Sequence, residues 1–147
     1  MASLTLAQAS TIIDTALAEG RKQNLAPLAF AVLDAGGHLI AFKREDKAGF
    51  LRNDIAFGKA WGALGMGFGT RELAERATNS PTFITMLAMA SQGRIIPSPG
   101  GVLIANADHE IIGAIGISGD KGDNDELCAI VGIEAVGLVA IPGTQKV

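Results

Sequence analysis

A chain of 147 residues with a net charge of −3, a pI near 5.3 and no basic block reads as one domain, spanning 1–147, that does not bind nucleic acid. Its single cysteine, Cys128, excludes an intrachain disulfide framework. No apolar run approaches the ~18–20 residues that span a bilayer, so no membrane partner is expected. Hydrophobic residues make up 48% and mean hydropathy is +0.33, which predicts that surplus apolar surface meets other copies of the chain.

The opening Met1-Ala2-Ser3-Leu4 has no positive segment followed by an apolar one, and a cytoplasmic location is the expectation. Thr5-Leu6-Ala7-Gln8 has the pattern of a capping box. Leu6, Ala9, Ile13, Ala16 and Leu17 then recur at helical spacing, and this helix fades between Gly20 and Asn24. Pro27 opens an extended run from Leu28 to Leu33. Asp34-Ala35-Gly36-Gly37 makes a turn, because glycine supplies the positive φ a tight hairpin needs. His38 to Lys43 returns as the second strand.

Asn53 or Asp54 is the expected cap of a second helix that carries Ile55, Phe57, Ala60, Trp61 and Leu64. Gly58 and Gly62 lie one turn apart on it and suggest close packing against another copy. Gly65, Gly67 and Gly69 end it. Thr70 should cap a short helix through Arg76, and Ser80-Pro81 starts another with proline at its first position. Gln92-Gly93 closes that segment. Pro97-Ser98-Pro99-Gly100-Gly101 is a stiff loop before a strand from Val102 to Asn106. Ala107-Asp108-His109-Glu110 is a hairpin tip, and Ile111 to Ser118 is the next strand. Asp123 and Glu126 suggest a second capping box, on a last helix that ends before Pro142. Helix, hairpin, helices, hairpin, helix is the order of an α+β layered domain around an antiparallel sheet.

Chemistry concentrates where the strand ending at Ser118 breaks into Gly119 and Asp120 and a helix follows. Backbone N–H groups at such a junction often hold ligands. The loop carries Asp120, Asp123, Asp125 and Glu126. Four carboxylates argue against a phosphate cradle and suit a cation, proton transfer or helix capping. Lys59 lies among glycine, alanine and tryptophan, and a lysine so placed loses pKa on burial. It suits a carboxylate anchor or an acid–base group. The alternative is a surface lysine. Arg44 and Asp46 follow the first hairpin as a second candidate pair, or as an exposed ion pair of little consequence.

Other chemistries are poorly served. His38 and His109 are the only histidines, and neither has a partner at zinc-site spacing, so no metal site is expected. No G-x-S-x-G elbow is present, and no base can be assigned to Ser118. Gly65-Met66-Gly67-Phe68-Gly69 follows a helix and is not a dinucleotide fingerprint. Cys128 falls on the apolar side of the last helix as a small hydrophobe.

Three blocks together resemble a known family. The first runs from Ala31-Val32-Leu33-Asp34-Ala35-Gly36-Gly37-His38-Leu39-Ile40-Ala41-Phe42 into Arg44 and Asp46, then Asp54-Ile55-Ala56 and Lys59-Ala60. The second is Pro99-Gly100-Gly101-Val102. The third runs from Ile112 to Gly119 with Asp125-Glu126. Over nearly the whole chain the sequence resembles the GlcG/HbpS-like family, which includes the C-terminal domain of PduO-type proteins. The resemblance implies a profilin-like, three-layer α/β/α fold with a central antiparallel sheet. It implies homo-oligomers from dimers to octamers, haem binding in several members, and a place among catabolic genes in others. Haem-binding relatives can use an N-terminal histidine as axial ligand. No histidine precedes His38 here, so that ligand is not carried over, and Met66 and Cys128 match no family ligand.

Two functions follow as expectations. One is an oligomeric small-molecule or haem-binding protein, with a pocket shaped by Pro99, Gly100, Gly101, Ser118, Gly119 and the helix of Lys59. The other is a cofactor-independent isomerase, hydratase or lyase acting on a small organic acid. In it Lys59 or Arg44 holds the carboxylate, and Asp46, Asp125 or Glu126 moves the proton. An accessory oligomer without an active pocket is the plain third alternative.

Overall fold

The computed structural model describes residues 3–144. It contains α1 (Leu6–Lys22), β1 (Ala29–Asp34), β2 (Leu39–Arg44), α2 (Leu51–Met66), α3 (Thr70–Asn79), α4 (Pro81–Ala90), β3 (Gly101–Ala105), β4 (Ile111–Ser118), α5 (Gly122–Ala135) and β5 (Val139–Ile141). The five strands form one antiparallel sheet in the order β2-β1-β4-β3-β5.

The two faces of the sheet carry different loads. On one, Phe30, Val32, Val102, Ile104, Ile115 and Ile117 bury against Ile12, Ile13 and Ala16 of α1 and Cys128, Ala129 and Ile133 of α5. On the other, Ala29, Ala31, Leu33, Leu103 and Ala114 face Ala56, Ala60 and Ala63 of α2. Residues alternate between faces with a period of two, and both faces are covered, so β1 and β4 are apolar throughout. The alanine-lined face lets α2 sit close. A Cβ at Gly116 would overlap the carbonyl oxygen of Ala56, so the crossing of α2 over β4 requires glycine.

Local chemistry fixes the ends. Thr5 Oγ1 accepts from Gln8 N at 3.0 Å and Gln8 Oε1 accepts from Thr5 N at 3.0 Å, the reciprocal box expected for α1. In the β1–β2 turn, Asp34 Oδ1 accepts from the amides of Gly36 and His38. In the β3–β4 turn, Asn106 Oδ1 does the same for Asp108 and Glu110.

Several expected ends differ. α2 starts before Asn53 and Asp54, with Phe50 at its N-cap and no side-chain cap. Thr70 is the first residue of α3 and not its cap. Its hydroxyl is spent on Gly101, accepting from the amide at 2.8 Å. Asp123 and Glu126 form no capping box, because Lys121 is the N-cap of α5 and both carboxylates turn to Arg71. Gly58 and Gly62 serve the chain's own segment 94–96. A Cβ at Gly58 would overlap Arg94 O, and one at Gly62 would lie 3.3 Å from Ile95 Cδ1. The strand β5, too short for an alternating signature, was not expected.

Candidate functional site

The centre of interest lies where α2, the loop before β3 and the β4–α5 junction meet. Lys59 comes from the face of α2 that also carries Arg52 and Ala56, at helical spacing of four and three. Its side chain is 3% exposed and that of Asp125 is 1% exposed, so neither meets bulk water. Lys59 Nζ donates to the Ile117 carbonyl at 2.8 Å and to Asp125 Oδ2 at 3.2 Å. Asp125 Oδ1 accepts from the amide of Asp120 at 3.2 Å.

Gly100 closes the centre. A Cβ there would lie 2.8 Å from Lys59 Nζ and 3.2 Å from Asp125 Cβ, and its φ of +124° is open to glycine alone among common residues. Burial dominates the electrostatics of the pair. It pulls the Lys59 ammonium below its usual range against the attraction of Asp125, with a smaller push from the charge of Arg52. It pushes the Asp125 carboxyl up to about 6 against the opposing pull of Lys59.

The neighbouring carboxylates have other tasks. Asp120 accepts from the amides of Ala26 (2.9 Å) and Lys121 (2.8 Å) and from Asn124 Nδ2 (2.7 Å). These bonds hold its carboxyl below the ordinary range and pin the junction to the end of the α1–β1 loop. Glu126 takes a two-bond contact from Arg71, Nε to Oε2 at 2.9 Å and Nη2 to Oε1 at 3.0 Å. Arg71 also reaches Asp123 and so binds α3 to α5. Glu126 therefore faces α3.

The structure gathers Lys59, Asp125, Ser118, Gly119, Pro99, Gly100 and Gly101 around one junction. Gly122 there packs against Pro99, and Gly119 against Pro27 and Leu28. Asp46 stands apart, beside Arg21, Pro27, Arg44 and Glu45 around a cavity of about 440 Å³ that neither Lys59 nor Asp125 lines. A larger cavity, about 680 Å³, runs along β5 and is lined by Arg71, Glu72, Glu75, His109 and the segment 139–144.

Arg52 was missed in the sequence. Its Nη1 donates to the Ser118 hydroxyl at 3.1 Å. The signal was available in its register with Lys59. Beside it, Asn53 Oδ1 is buried and accepts no hydrogen bond from any described residue.

The comparisons with known proteins agree with this architecture. The model of the family described as "Haem degrading protein HbpS-like" matches residues 4–134. The chain belongs to the HbpS-like family. Among relatives of this HbpS-like chain is the "uncharacterized 15.0 kDa protein in dhaT-dhaS intergenic region" of Citrobacter freundii. It is 32% identical over 130 residues, which cover 88% of this chain and 89% of the relative. A crystal structure of Klebsiella pneumoniae protein ORFY superposes with a TM-score of 0.83 at 28% identity, covering 93% of each chain. A PduOC–haem complex superposes with a TM-score of 0.85 at 24% identity, covering 94% of this chain and 98% of that one, a likeness of fold.

Haem iron takes imidazole, thiolate, thioether or phenolate ligands. Around Lys59 and Asp125 the polar groups are an ammonium, carboxylates, a guanidinium, a hydroxyl and carbonyls. These residues do not fit haem iron. His38 holds Asp34 at 3.1 Å on an exposed turn. Cys128 is buried under α1, and burial pushes its thiol up to about 11. His109 is the described histidine that borders a cavity. Among the described residues no group of three His, Cys, Asp or Glu side chains is placed to hold a metal ion.

Proposed function

We propose that this HbpS-like chain is a self-associating small-molecule-binding protein whose working centre is the Lys59–Asp125 pair. The observation that carries the reading is the pair itself. Taking two opposite charges out of water costs several kcal/mol per ion, and a hydrophobic pair of similar volume is often no less stable. Such a pair at the end of a central strand, under a glycine loop, is better explained by use than by stability.

The ligand favoured at this centre is a small organic acid, since its polar groups suit an anion with a transferable proton. Haem is the ligand that the family's description supplies. For this chain it would have to be taken up away from Lys59, with His109 as the first histidine to replace. Hemin titration followed in the Soret region should give weak or substoichiometric binding. A tight six-coordinate complex abolished by His109→Ala would overturn the preference for an organic acid.

A second reading is supported by the raised carboxyl. An acid near pH 6 beside an ammonium is equipped to move a proton at neutral pH, as an isomerase, hydratase or lyase requires. Thermal-shift screening against organic acids, followed by calorimetry on each hit, tests both. Binding should shift the Asp125 carboxyl titration, followed by ¹³C NMR, and should weaken in D125N. A bound acid that leaves that titration unmoved sinks the proposal. Where a hit turns over, D125N should lower kcat far more than it changes KM.

A further inference from the structure

The cavity of about 440 Å³ at the end of β2 has a firmly built wall. Arg21 Nε pairs with Glu45 Oε2 at 2.9 Å, and Arg21 Nη2 donates to the carbonyls of Leu25 at 2.8 Å and Ala26 at 3.0 Å. Glu45 Oε1 accepts from the Leu28 amide at 2.9 Å, and the Glu45 amide donates to the Leu28 carbonyl at 2.8 Å. Asp120 Oδ2 accepts from the Ala26 amide at 2.9 Å. Arg21 and Glu45 therefore cancel each other's charge and fix the backbone on both sides of Pro27, the apolar member of the wall.

Arg44 and Asp46 flank Glu45 and line the same cavity. Both are exposed, and among the described residues neither side chain makes a hydrogen bond or an ion pair. Opposite charges two residues apart on one rim are thus left open to a third party. Closing on each other in water would gain them little.

The turn that presents Asp46 is a second, separate observation. The Ala48 amide donates to the Glu45 carbonyl at 3.2 Å, so 45–48 is a β-turn with Asp46 and Lys47 at its centre. Lys47 has a φ of +71°, at a position where glycine or asparagine is usual. A long side chain held in that region strains the backbone, and strain of this kind gathers at ligand sites.

We infer that this cavity binds a zwitterion, a small amino acid whose carboxylate is taken by Arg44 and whose ammonium is taken by Asp46. A guanidinium matches a carboxylate with two parallel N–H donors, and an ionised carboxyl group only accepts, as an ammonium requires. Pro27 meets the carbon chain. The four charged side chains of the cavity sum to zero, so a ligand with both charges answers Arg44 and Asp46 together. A simple acid or a simple amine leaves one of them unanswered. The site goes beyond the Lys59–Asp125 centre and does not rest on it, because neither residue of that pair lines this cavity.

A ligand of so few atoms binds weakly, which suits titration followed by ¹H–¹⁵N NMR. The probes are L-valine with isovalerate and isobutylamine, and 4-aminobutyrate with butyrate and butylamine, each amino acid beside its two single-charge analogues. At least one of the amino acids should shift the amides of Glu45, Asp46 and Lys47, and should bind about tenfold or more tightly than either of its analogues. Which amino acid binds better reads the distance between the two charged groups. R44Q should bring that amino acid down to the affinity of its amine, and D46N to that of its acid. R44K and D46E, which keep the charges, should retain part of the affinity. Unchanged melting temperatures show that the variants fold.

Single-charge analogues that bind as tightly as the amino acids overturn the inference. So do R44Q and D46N variants that bind as the wild type does, and so does a wild-type chain whose amides at 45–47 move with none of the six compounds.

Discussion

At the scale of single residues, the buried pair makes the sharpest prediction. The Asp125 carboxyl rises from 3.8 to about 6 on folding, an effect of roughly 3 kcal/mol. Between those values the folded chain holds the proton and the unfolded chain does not. Stability from this group is therefore greatest below pH 4, falls as pH rises to about 6, and stays reduced above. Lys59 is shifted down, so its penalty applies while it is charged and is relieved as pH rises through its folded value. Urea unfolding of the wild type and D125N from pH 4 to 8 should show the wild-type advantage growing toward acid. An advantage independent of pH would refute the assignment. Lys59→Met should cost about 3–5 kcal/mol by leaving a carboxylate buried and unpaired, and the double variant K59M/D125L should recover much of it.

At the scale of elements, packing of α2 is decided at its glycines. Gly58→Ala should be among the most damaging small changes, because the added methyl meets the backbone at Arg94 O, which has no rotamer to yield. Gly65→Ala, on the same helix with nothing within 4 Å, should stabilise by about 0.5–1 kcal/mol. The two melting temperatures, measured side by side, check both signs. How much was legible in the sequence follows the same division between local and distant causes. The Thr5–Gln8 box, the turn at Asp34 and β4 from Ile111 to Ser118 are set by neighbours in sequence, and all were readable. The small residues flanking Lys59 on α2 left burial and a surface position as equal alternatives, and the structure buries it. Misread were Thr70, Asp123 and Glu126. Each has the chemistry of a helix cap, and each was drawn off by a partner at a sequence distance of 31 or more, Gly101 or Arg71. Arg52 went unread because a hydrogen bond to Ser118 across 66 residues leaves no trace in local pattern.

For the molecule as a whole, apolar surface remains uncovered. Phe83, Met86 and Met89 of α4 are 51%, 55% and 70% exposed, and no residue of that helix is buried. Phe50 and Leu51 add to the count at the start of α2. No helix among the described residues is long and apolar enough to cross a membrane, and such faces are more often met by protein. The chain of 15.1 kDa should sediment at micromolar concentration as a multiple of that mass. Replacing Phe83 and Met89 with serine should shift the population toward the monomer. A single 15.1 kDa species at all concentrations would contradict it.

The position of Cys128 gives the protein a built-in reporter. It is the only thiol in the chain, fully buried in α5, and a Cβ at Gly20 of α1 would lie 3.8 Å from its sulfur. A disulfide reagent needs an exposed thiolate, and burial here withholds both exposure and ionisation. Labelling of the native protein by Ellman's reagent must wait for α1 to part from α5. When reclosing outpaces labelling, the ratio of native to unfolded labelling rates is the equilibrium constant for that parting. Two absorbance traces, one of the native and one of the unfolded chain, thus measure without any mutation how often the helical layer opens. Repeated with a ligand present, they tell whether binding on the opposite face of the sheet is felt through the strands.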